Sequence, residues 1–182
     1  MTTPSALIHC CCAHCAAYTI EHWRGLGYET TAYWYNPNIH PFAEHEARKE
    51  SVIALTEKLE VSLHISPGYD MPTYFQVVVN HEDERCRHCF NLRLSATARM
   101  ARQLGINAIT STLLISPHQE HELLRETGET AAAVEGVTFL YTDLRKRYSA
   151  SRHITKPMKL YRQQYCGCLY SEWERFGAEP QS

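Results

Sequence analysis

Ala6-Leu7-Ile8-His9-Cys10-Cys11-Cys12-Ala13-His14-Cys15 sets a short apolar run directly against four thiols within six positions. The run reads as a buried strand that ends at the cysteines. Beyond it, Ala16, Ile20 and Trp23 recur at helical spacing up to Gly25 and Gly27, whose flexibility suits a helix stop. The cysteines therefore fall in a strand-to-helix turn. In an open α/β sheet that turn lies at the carboxyl edge, where ligands bind and the next helix offers its first amides to negative charge. A thiolate-bound centre is anionic, so the position is chemically favourable.

Outward from this stretch the pattern keeps alternating. Thr30-Thr31-Ala32-Tyr33-Trp34-Tyr35, rich in β-branched and aromatic residues, predicts a second strand. Asn36-Pro37-Asn38-Ile39-His40-Pro41 breaks it in a rigid loop. A helix is predicted from Phe42 to Leu59, with Val52, Leu55 and Leu59 on one face, and a strand over Val61-Ser62-Leu63-His64-Ile65. Between Ser66 and Glu84 the pattern weakens, with Pro67, Gly68 and Pro72 as punctuation and a short helix predicted from Phe75 to Val79. After Cys86-Arg87-His88-Cys89 a helix carries Leu94, Ala98, Ala101 and Leu104 on one stripe before Gly105. Ile106 to Ile115 predicts a strand leading to Ser116-Pro117-His118. A helix with Leu124, Ala131 and Val134 follows, and Val137 to Tyr141 predicts a last strand ending at Asp143. This alternation predicts an α/β fold, a single Rossmann-like domain over 1–182 with a doubly wound, mostly parallel sheet. Its core would span about 5–143, and a basic, cysteine-bearing C-terminal tail, 144–175, would complete the active site.

All eight cysteines fall in three tight clusters, the third being Cys166-Gly167-Cys168, whereas buried structural cysteines would be dispersed. The chain lacks a basic leader and any long charge-free apolar segment, so a cytoplasmic protein without a membrane anchor is expected. In that reducing compartment grouped thiols bind metals or do redox chemistry rather than form staples. The net charge of −2 gives no global sign of nucleic-acid binding. Its distribution does: from Leu144 to Arg162 there are seven basic residues and no acid. With Tyr148 and Tyr161 interleaved, such a segment could track phosphates and stack bases, the alternative being a solvated linker.

Ligand chemistry narrows what the thiols hold. A zinc ribbon pairs two CxxC motifs about 15 to 20 residues apart, far closer than the first two clusters here. One zinc ion needs about four thiols, and a thioredoxin-like dithiol needs one CxxC. An iron-sulfur cluster takes about four cysteines and leaves the others for a second metal. Iron-sulfur fits the count best, with zinc and thiol redox chemistry as alternatives.

His9, Cys11-Cys12-Ala13-His14-Cys15, Tyr35-Asn36-Pro37-Asn38-Ile39, Cys86-x-x-Cys89-Phe90, Thr112-Leu113-Leu114-Ile115-Ser116-Pro117, Asp143-Leu144-Arg145-Lys146 and Tyr161-Arg162-Gln163-Gln164-Tyr165-Cys166-Gly167-Cys168 occur in one order along nearly the whole chain. Together they resemble the cobalamin-independent epoxyqueuosine reductases, the QueH family. His14 departs from the proline expected before the third cysteine, and Cys10 is an added thiol. The resemblance implies reduction of epoxyqueuosine to queuosine at the wobble position of tRNA. It further implies a 4Fe-4S cluster, an adjacent mononuclear metal ion (iron or zinc) and an external low-potential electron donor. The implied metal ligands are Cys11, Cys12, Cys15, Cys86, Cys89, Cys166 and Cys168. Cys10 is left out as a small apolar residue pointing into the sheet.

Removing an epoxide oxygen takes two electrons, two protons and activation of a poor leaving group, which a Lewis-acidic metal beside a redox cluster would supply. Asp143 is the candidate metal ligand or proton donor, its bland role being a cap or a partner for Arg145. His9 could donate to a cluster sulfur or act as an acid, or it could be a satisfied structural histidine. His14, His88 and His118 lie beside the motifs and read as supporting or surface groups. Substrate contacts are expected from Tyr35, Asn36, Ser116, Arg145, Lys146, Tyr161 and Arg162, with Tyr148 as a further stacking candidate. A zinc-stabilised RNA-binding module without redox catalysis is the competing function. It would be colourless and contain zinc, where the reductase would be brown and contain iron and sulfide.

Overall fold

A computed structural model describes residues 3–177. Strands β1 (Ser5–His9), β2 (Glu29–Trp34), β3 (Ser62–Ile65), β4 (Ala108–Ser111) and β5 (Thr138–Phe139) form one sheet in the order β3-β2-β1-β4-β5. Every neighbouring pair is parallel, so the sheet is wholly rather than mostly parallel. Central β1 sets Ile8 between Ala32 and Thr110. Its apolar run is continuous because both faces are covered. Leu7 packs with Leu94, Ile109 and Leu124 on one face, Ile8 with Ile20, Val52 and Leu55 on the other. Each such side chain contributes about 1.5–3 kcal/mol on burial.

The helices are α1 (Ala13–Gly25), α2 (Phe42–Lys58), α3 (Met71–Val78), α4 (Arg85–Leu104), α5 (His121–Glu135), α6 (Tyr148–Thr155) and α7 (Leu169–Phe176). The alternation of strand and helix holds, and several boundaries move. The strand expected from Ile106 to Ile115 stops at Ser111, and Thr112–Ile115 turns into a 3-10 helix. The Ser111 hydroxyl accepts the Leu113 N–H at 3.2 Å, capping that turn as serine does at helix starts. The last strand is Thr138–Phe139 rather than Val137 to Tyr141, because only Leu140, through its N–H to the Ile109 carbonyl, extends the pairing. Asp143 accordingly sits in the loop beyond the strand. The helix expected from Phe75 begins at Met71, since Pro72 in its first turn favours a start there. Leu104 and Val134 are exposed rather than on their helices' buried stripes. The basic tail is not a linker: it folds into α6, flanked by 3-10 turns at Arg145–Arg147 and Lys156–Met158, and α7.

From β1 the chain moves one way to β2 and β3, then returns past β1 to β4 and β5. The loops after β1 and β4 therefore part company at the carboxyl edge, the switch point where open parallel sheets bind ligands. Among the described residues no helix is long and apolar enough to cross a membrane.

Candidate metal centre

The first cysteine group occupies that switch point. Cys12 is extended and caps α1, its sulfur accepting the Cys15 N–H at 3.3 Å. The cap folds the turn so that the sulfurs of Cys11, Cys12 and Cys15 all lie within 4.8 Å of one another. Across the switch point the Thr112 hydroxyl accepts the Cys11 N–H at 3.1 Å and lies 3.2 Å from its sulfur. Hydrogen bonds from the Cys12 and Cys15 thiols hold Cys11 well below the ordinary thiol range, while both partners are pushed up. The three sulfurs lie at a helix start, where negative charge is favoured. Cys10 points elsewhere: it is buried with Ile8, Ala13 and Ala16, and its thiol reaches the Ile8 carbonyl at 3.4 Å.

The second group comes from α4 and the tail. Cys86 and Cys89 lie in the first two turns of α4, three residues apart and so on one side of the helix. Cys89 is buried with Cys168, Tyr74 and Val78, and burial pushes its thiol up to about 12. The Cys168 sulfur caps α7 by accepting the Ser171 N–H at 3.4 Å. Cys166 is exposed, and its sulfur lies 3.4 Å from the donating Gln119 Nε2. Between them Gly167 adopts φ 148°, and a Cβ there would meet Asn38 Nδ2 and Ile39 Cγ1 at 3.2 Å. Only glycine fits a left-handed backbone pressed on the 36–41 loop, where the His40 N–H bonds the Gly167 carbonyl at 2.8 Å.

Two buried arginines join the groups. Burial opposes the Arg93 charge, yet Cys89, Cys166, Cys11 and Cys86 together hold its guanidinium above the usual value. Arg48 is likewise raised against burial by Glu44 and then by Cys12 and Cys11. Its three nitrogens reach Glu44 Oε1 at 2.7 Å and the carbonyls of Cys166 and Tyr165 at 2.9 and 3.0 Å. Cys86 packs against the cluster that contains Cys11, Cys12 and Cys15. All eight cysteines are free. Among the described residues only the Cys11, Cys12 and Cys15 sulfurs lie mutually within 4.8 Å, a donor set suited to soft, thiophilic metals, while Cys89 and Cys168 share a second cluster nearby.

The other expected residues divide. His9 is fully buried, with Nε2 3.1 Å from the Tyr35 carbonyl and Nδ1 3.1 Å from the Ser111 hydroxyl. Because the carbonyl can only accept, the proton sits on Nε2 and Ser111 donates to Nδ1. Burial, then Arg93, lowers the His9 pKa to about 4, so the ring is neutral and both nitrogens are occupied. Asn36 donates to the Cys10 carbonyl at 2.9 Å and holds the cysteine turn. Asp143 is exposed and gripped by Arg145, whose Nε lies 2.9 Å from Oδ1; that hydrogen bond holds the carboxyl far below its usual range. His121 Nδ1 lies 3.9 Å from it. The pair with Arg145 favours the charged carboxylate, which can hold a cation or accept from a substrate donor. Ser116 turns the loop after β4, accepting the His118 N–H at 3.3 Å. The Tyr35 hydroxyl donates to Asp70 at 2.9 Å, and Tyr161, exposed, donates to Glu44. Arg162 lines a cavity beside His14, and Lys146 is exposed.

Sequence reasoning passed over Arg48 and Arg93, and it named Thr112 only within a motif, without its bond to Cys11. Arg93 left a trace as a charge beside Leu94 on a helix that otherwise buries that side. A further ligand-capable trio, His81, Glu84 and His88, lies near the start of α4, with His81 and Glu84 exposed.

A family model described as epoxyqueuosine reductase QueH matches residues 6–174. The epoxyqueuosine reductase QueH of Dehalococcoides mccartyi is 52% identical over 174 residues, covering 96% of each chain. That of Thermotoga maritima is 32% identical over 182 residues, covering 94% of this chain and 92% of its own. A solved predicted subunit of a tRNA methyltransferase from Methanocaldococcus jannaschii shares the fold, with TM-score 0.52 at 11% identity, covering 87% of this chain and 90% of that one.

Proposed function

The chain belongs to the QueH family of epoxyqueuosine reductases, and we propose that it performs their reaction at the cysteine-lined edge of the sheet. It reduces epoxyqueuosine in tRNA to queuosine: two electrons and two protons convert the epoxide into a carbon–carbon double bond and release the oxygen as water. The observation that carries the assignment to this edge is the gathering of the Cys11, Cys12 and Cys15 sulfurs within 4.8 Å at the switch point, backed by Arg48 and Arg93.

The donor set fits a 4Fe-4S cluster with an adjacent mononuclear ion, because about four thiolates serve a cluster and three remain. Cys11, Cys12, Cys15, Cys86, Cys89, Cys166 and Cys168 would hold them. When bound, these groups supply electrons one at a time and Lewis acidity toward the leaving oxygen. Arg48 and Arg93 offset the thiolate charge that would otherwise repel the chain segments. His9 fixes the Tyr35 carbonyl and with Asn36 holds the loops on either side of the centre. Asp143, ionised, serves as metal ligand or as acceptor for a substrate donor. Arg145, Lys146, Tyr161 and Arg162 contact the RNA. Protons come from solvent, and electrons from an external low-potential donor in the cytoplasm.

The test is anaerobic. Purified without oxygen and reduced, the protein should contain iron and acid-labile sulfide and convert epoxyqueuosine to queuosine in tRNA, read by nucleoside analysis. A colourless zinc protein that leaves the nucleoside unchanged would overturn the proposal in favour of an RNA-binding module.

A further inference from the structure

Next to the first cysteine group lies a cavity of about 460 Å³ whose chemistry the metal centre does not use. Arg152, Lys156, Lys159 and Arg162 line it, with Leu160 as an apolar wall and His14 on the side of the cysteine turn. None of the four cations enters an ion pair among the described residues, whereas Arg48, Arg102, Arg125 and Arg145 each hold a carboxylate. Four like charges converging without a counterion repel one another, a cost that an anionic ligand would turn into attraction. The volume falls within the range of about 300–1,000 Å³ that small-ligand pockets occupy.

The cavity is also tied to the metal centre. The Ser151 hydroxyl of α6 accepts the Tyr18 N–H at 3.0 Å and donates to the His14 carbonyl. Thr155 bonds His14 Nδ1, and His14 Nε2 is buried with no hydrogen-bond partner among the described residues. The basic helix is thus clamped to the residue between Cys12 and Cys15, and an anion in the cavity is fixed beside that turn. Lys159, at φ 53°, reverses the chain so that Arg162 returns to the same cavity.

Resting on the tRNA-substrate reading above, we propose that this cavity is a phosphodiester subsite for the RNA strand carrying the modified base. It grips the backbone beside the target nucleotide while the base reaches the cysteine edge. The test uses the metal-loaded protein and an anticodon stem-loop RNA, with affinity measured by fluorescence anisotropy across a salt series. Arg152→Gln/Lys159→Gln should weaken binding about tenfold and lower the slope of log affinity against log salt by about 0.7 for each phosphate contact removed. Lys58→Gln, on an exposed helix end outside the cavity, should bind as the parent does. Iron content and visible spectrum should be the same in all three proteins. Unchanged affinity and slope in the double variant would overturn the subsite. So would competition by inorganic phosphate or adenosine monophosphate at the RNA's own concentration, which would make the ligand a free anion. A parent that binds the RNA with this slope yet reduces no epoxyqueuosine would sink the enzymatic reading and leave the subsite standing. Turnover whose KM ignores the double variant would do the reverse.

Discussion

Asp143 illustrates how a residue's environment selects among its roles. Its carboxylate is exposed and paired with Arg145, which favours the charged form. Asp143→Asn keeps the shape and removes the charge. Both Asp143→Ala and Asp143→Asn should therefore lose turnover in the tRNA nucleoside assay, while their melting temperatures stay with the parent's, because exposed ion pairs contribute little to stability. Turnover at the parental rate in either variant would remove Asp143 from the centre. His9 makes the opposite point. Its place at a strand end was readable, but its neutrality follows from burial and from two partners, Ser111 and Tyr35, that are distant in sequence.

Elements matter here through what ties them together. Strand β1, its cysteine turn and helix α1 were legible, because an apolar run, a cluster of thiols and a helical period follow one another within 20 residues. The 3-10 turn at Thr112–Ile115 was not, since Leu113, Leu114 and Ile115 carry strand-like character while the Ser111 cap and a packed environment dictate a turn. The Cys166–Cys168 loop depends on α2 through Arg48, whose guanidinium satisfies Glu44 and two carbonyls at once. Arg48→Ala strips a buried carboxylate of its charged partner, leaving it only the Tyr161 hydroxyl, and should cost about 3–5 kcal/mol in urea unfolding. Arg48→Lys should not restore it, because one ammonium cannot reproduce a planar fork spanning three acceptors. A lysine variant with parental stability and iron content would show that the fork is dispensable.

At the scale of the molecule, the tail closes over the sheet edge and supplies two of the seven candidate thiols, Cys166 and Cys168. Its hold on the body is Arg48, Gly167 and the contacts of α6 with α1, together with the metals proposed to cross-link it. Removing metal with a chelator under reducing, anaerobic conditions should therefore raise amide hydrogen exchange first in residues 161–176 and at the start of α4, leaving β1 and β4 protected. Uniform exchange along the chain, or none, would separate the tail's order from the metals. By itself the sequence determined the alternation of strands and helices, the placement of the first cysteines at a carboxyl edge and the thiophilic character of the centre, all of which depend on local periodicity and on residue chemistry. The tertiary structure alone decided that Cys89 packs with Cys168 and Cys86 with the first cysteine group, that two arginines are buried near the thiols, and that four cations without an ion pair among the described residues wall one cavity. Those are contacts between segments tens of residues apart, fixed by the strand order and by how the tail packs, and no local pattern encodes either.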